Sequence, residues 1–262
     1  MRIPSLEIFN IVRGRSLKAP RFELVKDCKI ISKLNAIDKM GNPIELKTHF
    51  GTEYSRTPCF TTEIFTKDST DAVGYNTFSI SKENLVLNGN SMQVNKELQK
   101  KYGYGEVLRL ASIIDLLENS LDKISIYALT EAIPFHHKYK FKPNIPLRKD
   151  EIEELLIKIS RQRNEKLQPH SQTAKKILNE LIYCNFGMSN SKYANLTEKI
   201  NLLVSNYLKA TEKNNLNWES SISMSGVSFR TDIDMDLDRN SIYENKDFFN
   251  EKFLAHGIDY KI

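Results

Sequence analysis

The chain of 262 residues is short of cysteine, and the three it has cannot act together. Cys28, Cys59 and Cys184 are odd in number, far apart, and form neither a CxxC nor a Cys/His pair at zinc spacing. A disulfide framework and a zinc site are therefore not expected, and without a nearby His or Asp motif neither is thiol catalysis. No uninterrupted apolar run approaches the roughly 20 residues that span a bilayer. The start, with Arg2, Glu7, Arg13 and Arg15, lacks the apolar core of a secretory signal, so the chain is expected to be cytoplasmic with no membrane partner. Charge of one sign is also scarce: 38 Lys and Arg against 33 Asp and Glu leave +5. Residues 1–60 carry 11 basic against 6 acidic side chains, but residues 227–262 carry 5 against 8. Nucleic acid is therefore not an expected partner, since a binding track collects Lys and Arg on one face. No repeat or low-complexity segment is present.

What remains is the composition of a globular protein, 40% hydrophobic and 10% aromatic. The length fits a domain with a sizeable addition. Apolar residues at Leu24, Cys28, Ile31 and Leu34 predict a helix over Phe22–Met40, closed by Met40-Gly41-Asn42-Pro43. Short β-like runs follow at Cys59–Thr66, Ala72–Ser81 and Asn84–Val94, the outline of an antiparallel meander. Val107, Leu110, Ile113, Ile114 and Leu117 give a helical stripe over Glu106–Ser120. Lys123–Leu129 reads as a strand, and Pro134 opens a short helix ended by Lys142-Pro143-Asn144-Ile145-Pro146. Residues 147–215 read as two to four helices, with breaks near Gln168-Pro169 and Gly187-Met188-Ser189-Asn190. Alternation returns at Val227–Leu237 and again at His256–Tyr260.

The chemistry concentrates in Leu85–Phe141. A strand ending near Val94 leads through Gln99-Lys100-Lys101-Tyr102-Gly103-Tyr104-Gly105 into the Glu106 helix. Glycines let backbone N–H groups approach a diphosphate, and a helix N-terminus adds unpaired donors and a positive dipole. A plain strand-to-helix turn has the same local signature.

The sequel distinguishes the two. The segment resembles the GNAT acyltransferase superfamily, in which a strand, an R/Q-x-x-G-x-G/A loop and a helix bind the pyrophosphate of acetyl-CoA. In that family another strand and a short helix follow, reading approximately A-x-x-F-Y-x-K-x-G-F. Here the loop reads Lys100-x-x-Gly103-x-Gly105, and the later piece runs Ala132-Ile133-Pro134-Phe135-His136-His137-Lys138-Tyr139-Lys140-Phe141. Lys100 replaces the family's Arg or Gln, His136 its frequent Tyr, and Lys140 its usual Gly. The resemblance covers about residues 55–142. It implies an α+β fold: a mixed, mainly antiparallel sheet flanked by helices, splayed at the Gly103–Gly105 loop. The implied division is a core at 1–146 with an N-terminal extension, a helical lobe at 147–220, and C-terminal strands at 221–262 completing the core.

By the same resemblance, the co-substrate is acetyl-CoA. Its contacts would be Val94, Lys100, Lys101, Tyr102, Gly103, Tyr104, Gly105, Glu106 and Phe135. The acceptor would be an amine, on a small molecule or on a protein, attacking the thioester directly. His136, then Tyr139, are the candidates to protonate the departing thiolate; Glu63, Glu97 and His137 are the candidate bases. The alternative is an inactive binding or effector-like module that keeps the fold and engages a protein partner through the helical lobe.

Two other features have plainer readings. Asp232, Asp234, Asp236 and Asp238 alternate with apolar residues, so on a strand the carboxylates share one face. A calcium loop starting at Asp232 would need Gly sixth and Glu twelfth, where the chain has Leu237 and Tyr243, so no metal is expected. The row reads as a solvated face, or as an attractor for an amine beside the acceptor cleft. Trp218, the single tryptophan, is suited to anchor the lobe to the sheet or to line a pocket.

Overall fold

The computed structural model describes residues 25–53, 58–81, 83, 85–94, 98–146, 149–183, 190–218 and 232–262. Glu97, Cys184, the break at 187–189 and positions 227–231 lie outside the described residues, as do the side chains of Cys28 and Lys100. By internal contacts the chain divides into two compact units, one running to Ser125 and resuming at Leu237–Ile262, the other Ile126–Asp236.

The first unit is built on β1 (Val25–Ile37), β2 (Pro43–Glu53), β3 (Pro58–Thr66), β4 (Gly74–Ser81) and β5 (Val86–Val94), each antiparallel to the next. A short α1 (Gln99–Tyr102) and a long α2 (Tyr104–Glu118) lead to β6 (Lys123–Ala128). The strand order is β1-β2-β3-β4-β5-β6-β8-β7, with β7 at Lys142–Pro143 and β8 at Ile233–Asp238. β5 and β6 are neighbours in this order, and α2 connects them. The fold is α+β on a mixed, mainly antiparallel sheet, as the sequence implies.

Over Val25–Ile37 the predicted helix is replaced by β1, and β2, which the sequence reading did not foresee, follows the turn, at Pro43–Glu53. The cause is legible in the pairing. Leu34 and Ala36 sit opposite Leu46 and Ile44, but bulges between Lys26 and Lys29 and between Ile30 and Ser32 insert extra residues. Each bulge stretches the same-face step from two residues to three, which imitates helical spacing. Asp38 then shapes the turn: one carboxylate oxygen accepts the N–H groups of Met40 and Asn42 at 2.8 and 2.9 Å, while Gly41 takes φ +84°.

The two faces of this sheet differ. Thr48, Thr62 and Asn76 share one face by register. Asn76 donates to the Leu108 carbonyl of α2 at 2.9 Å, and Thr62 hydrogen-bonds Asp115 of α2, so this face carries the helix. Val107, Leu110, Ile113 and Leu116 of α2 are fully buried. α7 (Arg239–Glu244) and α8 (Lys246–Ala255) close the unit, burying Phe249 and Phe253. The strand expected at His256–Tyr260 is absent: the Ile258 N–H returns to the Phe253 carbonyl at 2.9 Å, ending α8.

The second unit holds α3 (Ile133–Lys138), the β7/β8 pair, and the helices α4 (Lys149–Ser160), α5 (Gln168–Tyr183) and α6 (Asn190–Lys213). Its core includes Leu155, Ile159, Ile177, Ile200 and Leu203. Trp218 packs edge-on against Tyr207 of α6 at 5.5 Å, inside this helical unit. The acidic row is partly consumed structurally. Asp232 accepts from the Thr130 N–H at 3.0 Å, Asp236 accepts from Asn144 at 2.7 Å, and Asp238 caps α7 by accepting the Ser241 N–H at 2.6 Å. Among the described residues no helix is long and apolar enough to cross a membrane, and no three His, Cys, Asp or Glu stand as a metal group.

Candidate active site

The turn between β5 and α2 has the geometry that the glycine spacing foretells. Gly103 ends α1 and begins α2 at φ +69°, ψ +20°, the left-handed region. Only glycine takes that conformation without strain. The Glu106 N–H already turns back to the Gly103 carbonyl at 2.9 Å. Those of Tyr104 and Gly105 are the first of the helix and have no intrahelical acceptor.

Other parts of the unit hold this turn from behind. The Lys39 N–H donates to the Tyr102 carbonyl at 2.9 Å. His256 Nδ1 donates to the Ile37 carbonyl at 3.0 Å, and its Nε2 lies 3.5 Å from Glu106 Oε2. The rings of Tyr102 and Tyr104 stack at 5.4 Å, with Lys101 Nζ 4.9 Å above the first. Tyr104 is buried, and burial, helped by the charge of Asp38, raises its phenol above the ordinary value. Lys101 is exposed, while Val94, Tyr102, Gly105 and Glu106 are half-buried. A pyrophosphate fits this donor set: two first-turn amides, a helix dipole and an exposed lysine. The Glu106 carboxylate opposes an anion, but it faces His256.

Phe135 and His136 of α3 and Tyr139, which follows its last turn, come together. The Phe135 ring lies 5.1 Å from that of His136 and 5.2 Å from that of Tyr139. Tyr139 is wholly buried and His136 nearly so. Burial lowers the pKa of the neighbouring His137. Lys140, standing where the resembling family has glycine, adopts φ +67°, the backbone conformation that glycine favours.

Glu63 is on the sheet face opposite α2. Register runs a row Lys47–Glu63–Tyr75–Gln93 from β2 to β5, ending one residue before Val94. Glu63 is 3% exposed. His49, a diagonal neighbour that the sequence reading did not single out, is 7% exposed and puts Nε2 3.0 Å from Glu63 Oε2. That is an ion-pair distance, while His49 Nε2 and Glu63 Oε1 both lack a hydrogen-bond partner. The signal for His49 was the alternation Glu45, Lys47, His49 just after the Gly41-Asn42-Pro43 turn, on a strand that the sequence reading did not assign.

No family model and no curated protein matches the chain. Among solved structures, a Bacillus subtilis protein in complex with CoA is 21% identical over 36% of this chain and 64% of that one, with a TM-score of 0.27. A nourseothricin-modifying protein is 15% identical over 45% of this chain and 78% of its own, with a TM-score of 0.30. Both are acetyltransferases. The chain spans a little under two thirds of the first, and neither likeness is close enough to carry a functional argument.

Proposed function

We propose that the chain is an acyl-CoA-dependent N-acetyltransferase acting on an amine. The observation that carries this reading is Gly103 at φ +69°, which opens α2 with its first-turn amides inside Lys100-x-x-Gly103-x-Gly105. The left-handed backbone at Lys140 supports it, because a second position of the resembling motif then has the conformation its usual glycine would take.

Acetyl-CoA, when bound, supplies an activated acyl group on sulfur. The Tyr104 and Gly105 amides and Lys101 would orient the pyrophosphate, with Lys100 beside them, Val94 along the strand end and Phe135 as a further contact. Glu63 would take the proton of the acceptor amine as the nitrogen–carbon bond forms and the carbon–sulfur bond breaks. The electron pair leaves on sulfur, and His136, with Tyr139 as second choice, returns a proton to it. Binding energy at the pyrophosphate holds the thioester in place, so the amine adds to a positioned rather than a diffusing carbonyl.

The burial of His136 and Tyr139 favours a second reading, a module that binds acyl-CoA without turnover and uses the helical tract 147–220 to engage a protein. Thiol release from acetyl-CoA over a panel of small amines and Lys-bearing peptides separates the two. The first reading expects release that depends on the amine, and Glu63→Gln suppresses it. The second expects binding with no release over the whole panel.

A further inference from the structure

His256, the residue that ends α8, grips the end of β1 at two points. Its carbonyl accepts the Ile37 N–H at 2.8 Å, and its ring Nδ1 donates to the Ile37 carbonyl at 3.0 Å. The backbone beside it is close-fitting: Gly257 follows at φ +59°, and a Cβ there would stand 3.4 Å from Ile37 Cγ1. With His256 only 5% exposed, protein groups rather than water settle its ring nitrogens.

This clasp fixes the chemistry of the second ring nitrogen. A carbonyl only accepts, so Nδ1 carries the hydrogen, and in the neutral ring Nε2 is then an acceptor. Nε2 stands 3.5 Å from Glu106 Oε2, and a carboxylate is an acceptor too. Two acceptors facing each other repel, whereas a proton on Nε2 turns the same contact into an ion pair. The elements that meet here carry Glu106 and Tyr104 on α2, Asp38 and Lys39 in the β1–β2 turn, and Lys252 and Asp259 on α8 and the tail behind it. Asp38 is engaged by the Met40 and Asn42 N–H groups and the Asn42 side chain. Among the described residues Glu106 alone stands at ion-pair distance from the ring.

The place of Glu106 gives this proton a consequence. Glu106 lies in the first turn of α2, where a diphosphate would meet its negative charge. It is half-buried, so solvent screens that charge only in part. With His256 protonated the pair sums to zero, and the helix dipole and Lys101 act on the phosphates unopposed. With the ring neutral, the carboxylate stands against the ligand.

We infer that His256 is a positioning residue of the CoA site and that diphosphate binding there is coupled to proton uptake: the filled site carries imidazolium at His256, which holds the Glu106 carboxylate back from the phosphates. This rests on the acyl-CoA reading of the turn. The proton comes from solvent and sits on Nε2; no covalent bond forms or breaks. Because the ligand favours the charged ring, affinity is highest at low pH and falls as pH rises through about 6 to 8, where histidine changes charge.

The test is calorimetric titration of the full chain with dephospho-CoA from pH 6 to pH 8. Its diphosphate diester keeps its charge over that range, which the 3′-phosphate of CoA does not. Affinity should fall about 5- to 10-fold across the range, and heats in buffers of different ionisation enthalpy should show net proton uptake. His256→Asn, whose amide still reaches toward the Ile37 carbonyl, should bind as weakly at pH 6 as the wild type does at pH 8. Glu106→Gln should bind tightly at every pH, and the double variant should regain that affinity, a rescue that a merely structural histidine would not show. Wild-type affinity independent of pH, or a double variant as weak as His256→Asn, would overturn the inference and leave the acyl-CoA reading standing. The pair is also read without nucleotide, by histidine-ring NMR with the His256 signal assigned by its loss in His256→Asn. Glu106→Gln should displace the titration of that signal toward lower pH; an unmoved titration would equally overturn the inference. A chain in which it moves, but which binds neither CoA nor dephospho-CoA at any pH, refutes the acyl-CoA reading and the coupling with it.

Discussion

The Lys39 N–H donates to the Tyr102 carbonyl at 2.9 Å, tying the β1–β2 hairpin to the residue just before Gly103. The same hairpin limits what Gly103 can become. A Cβ there would sit 3.3 Å from Lys39 Cβ, and the left-handed backbone penalises any L side chain. Gly103→Ala is expected to cost about 1–2 kcal/mol of stability, read by urea unfolding. An unchanged midpoint would show that the turn is not held as described.

Lys140 offers the converse. At φ +67° it bears the strain that glycine would relieve, so Lys140→Gly should be neutral or stabilising by up to about 1 kcal/mol. A loss of more than about that amount in the unfolding midpoint would mean that contacts of the Lys140 side chain outweigh its backbone strain.

Asp115 gives a pH dependence with a definite sign. Burial between α2 and the sheet raises its carboxyl from 3.8 to about 7, against a lowering hydrogen bond from Thr62. From about pH 4 to pH 7 the unfolded chain therefore gives up this proton while the folded chain keeps it, so stability falls as pH rises through that window and levels above it. Asp115→Asn should lack that fall, gaining up to about 4 kcal/mol on the wild type between pH 4 and pH 8. Parallel stability–pH curves for the two proteins would contradict the assignment.

The end of α2 depends on Arg239. Its Nε and Nη2 donate to the Leu121 carbonyl at 2.9 and 2.6 Å, and Nη2 reaches the Leu116 carbonyl at 3.4 Å. Arg239→Ala should cost about 2–3 kcal/mol, and Arg239→Lys about half of that, since ammonium keeps the charge but not the fork. Thermal unfolding of the two variants checks the order.

The sequence foretells the parts of this structure that follow a clean period. β3, β4, α2, β6 and α3 lie close to where alternation and the Val107-to-Leu117 stripe put them, and Gly103 announces its own backbone. β1 misleads because two bulges turn a period of two into three, and β2, which carries His49, was not assigned at all. Pairings such as His49 with Glu63, or His256 with Ile37 and Glu106, join positions far apart in the chain that no local pattern connects. Burial was also unreadable: the aromatic run at Phe135–Phe141 suggests an exposed polar helix as readily as the packed one that hides Tyr139.

The central claim is that the β5–α2 turn binds the pyrophosphate of CoA, and calorimetric titration with CoA and acetyl-CoA tests it most directly. The wild type should bind both, Gly105→Asp should lose at least about tenfold by setting a carboxylate against the phosphates, and Glu63→Gln should bind as the wild type does. No heat of binding from a folded wild type, or equal affinity in Gly105→Asp, would contradict the account.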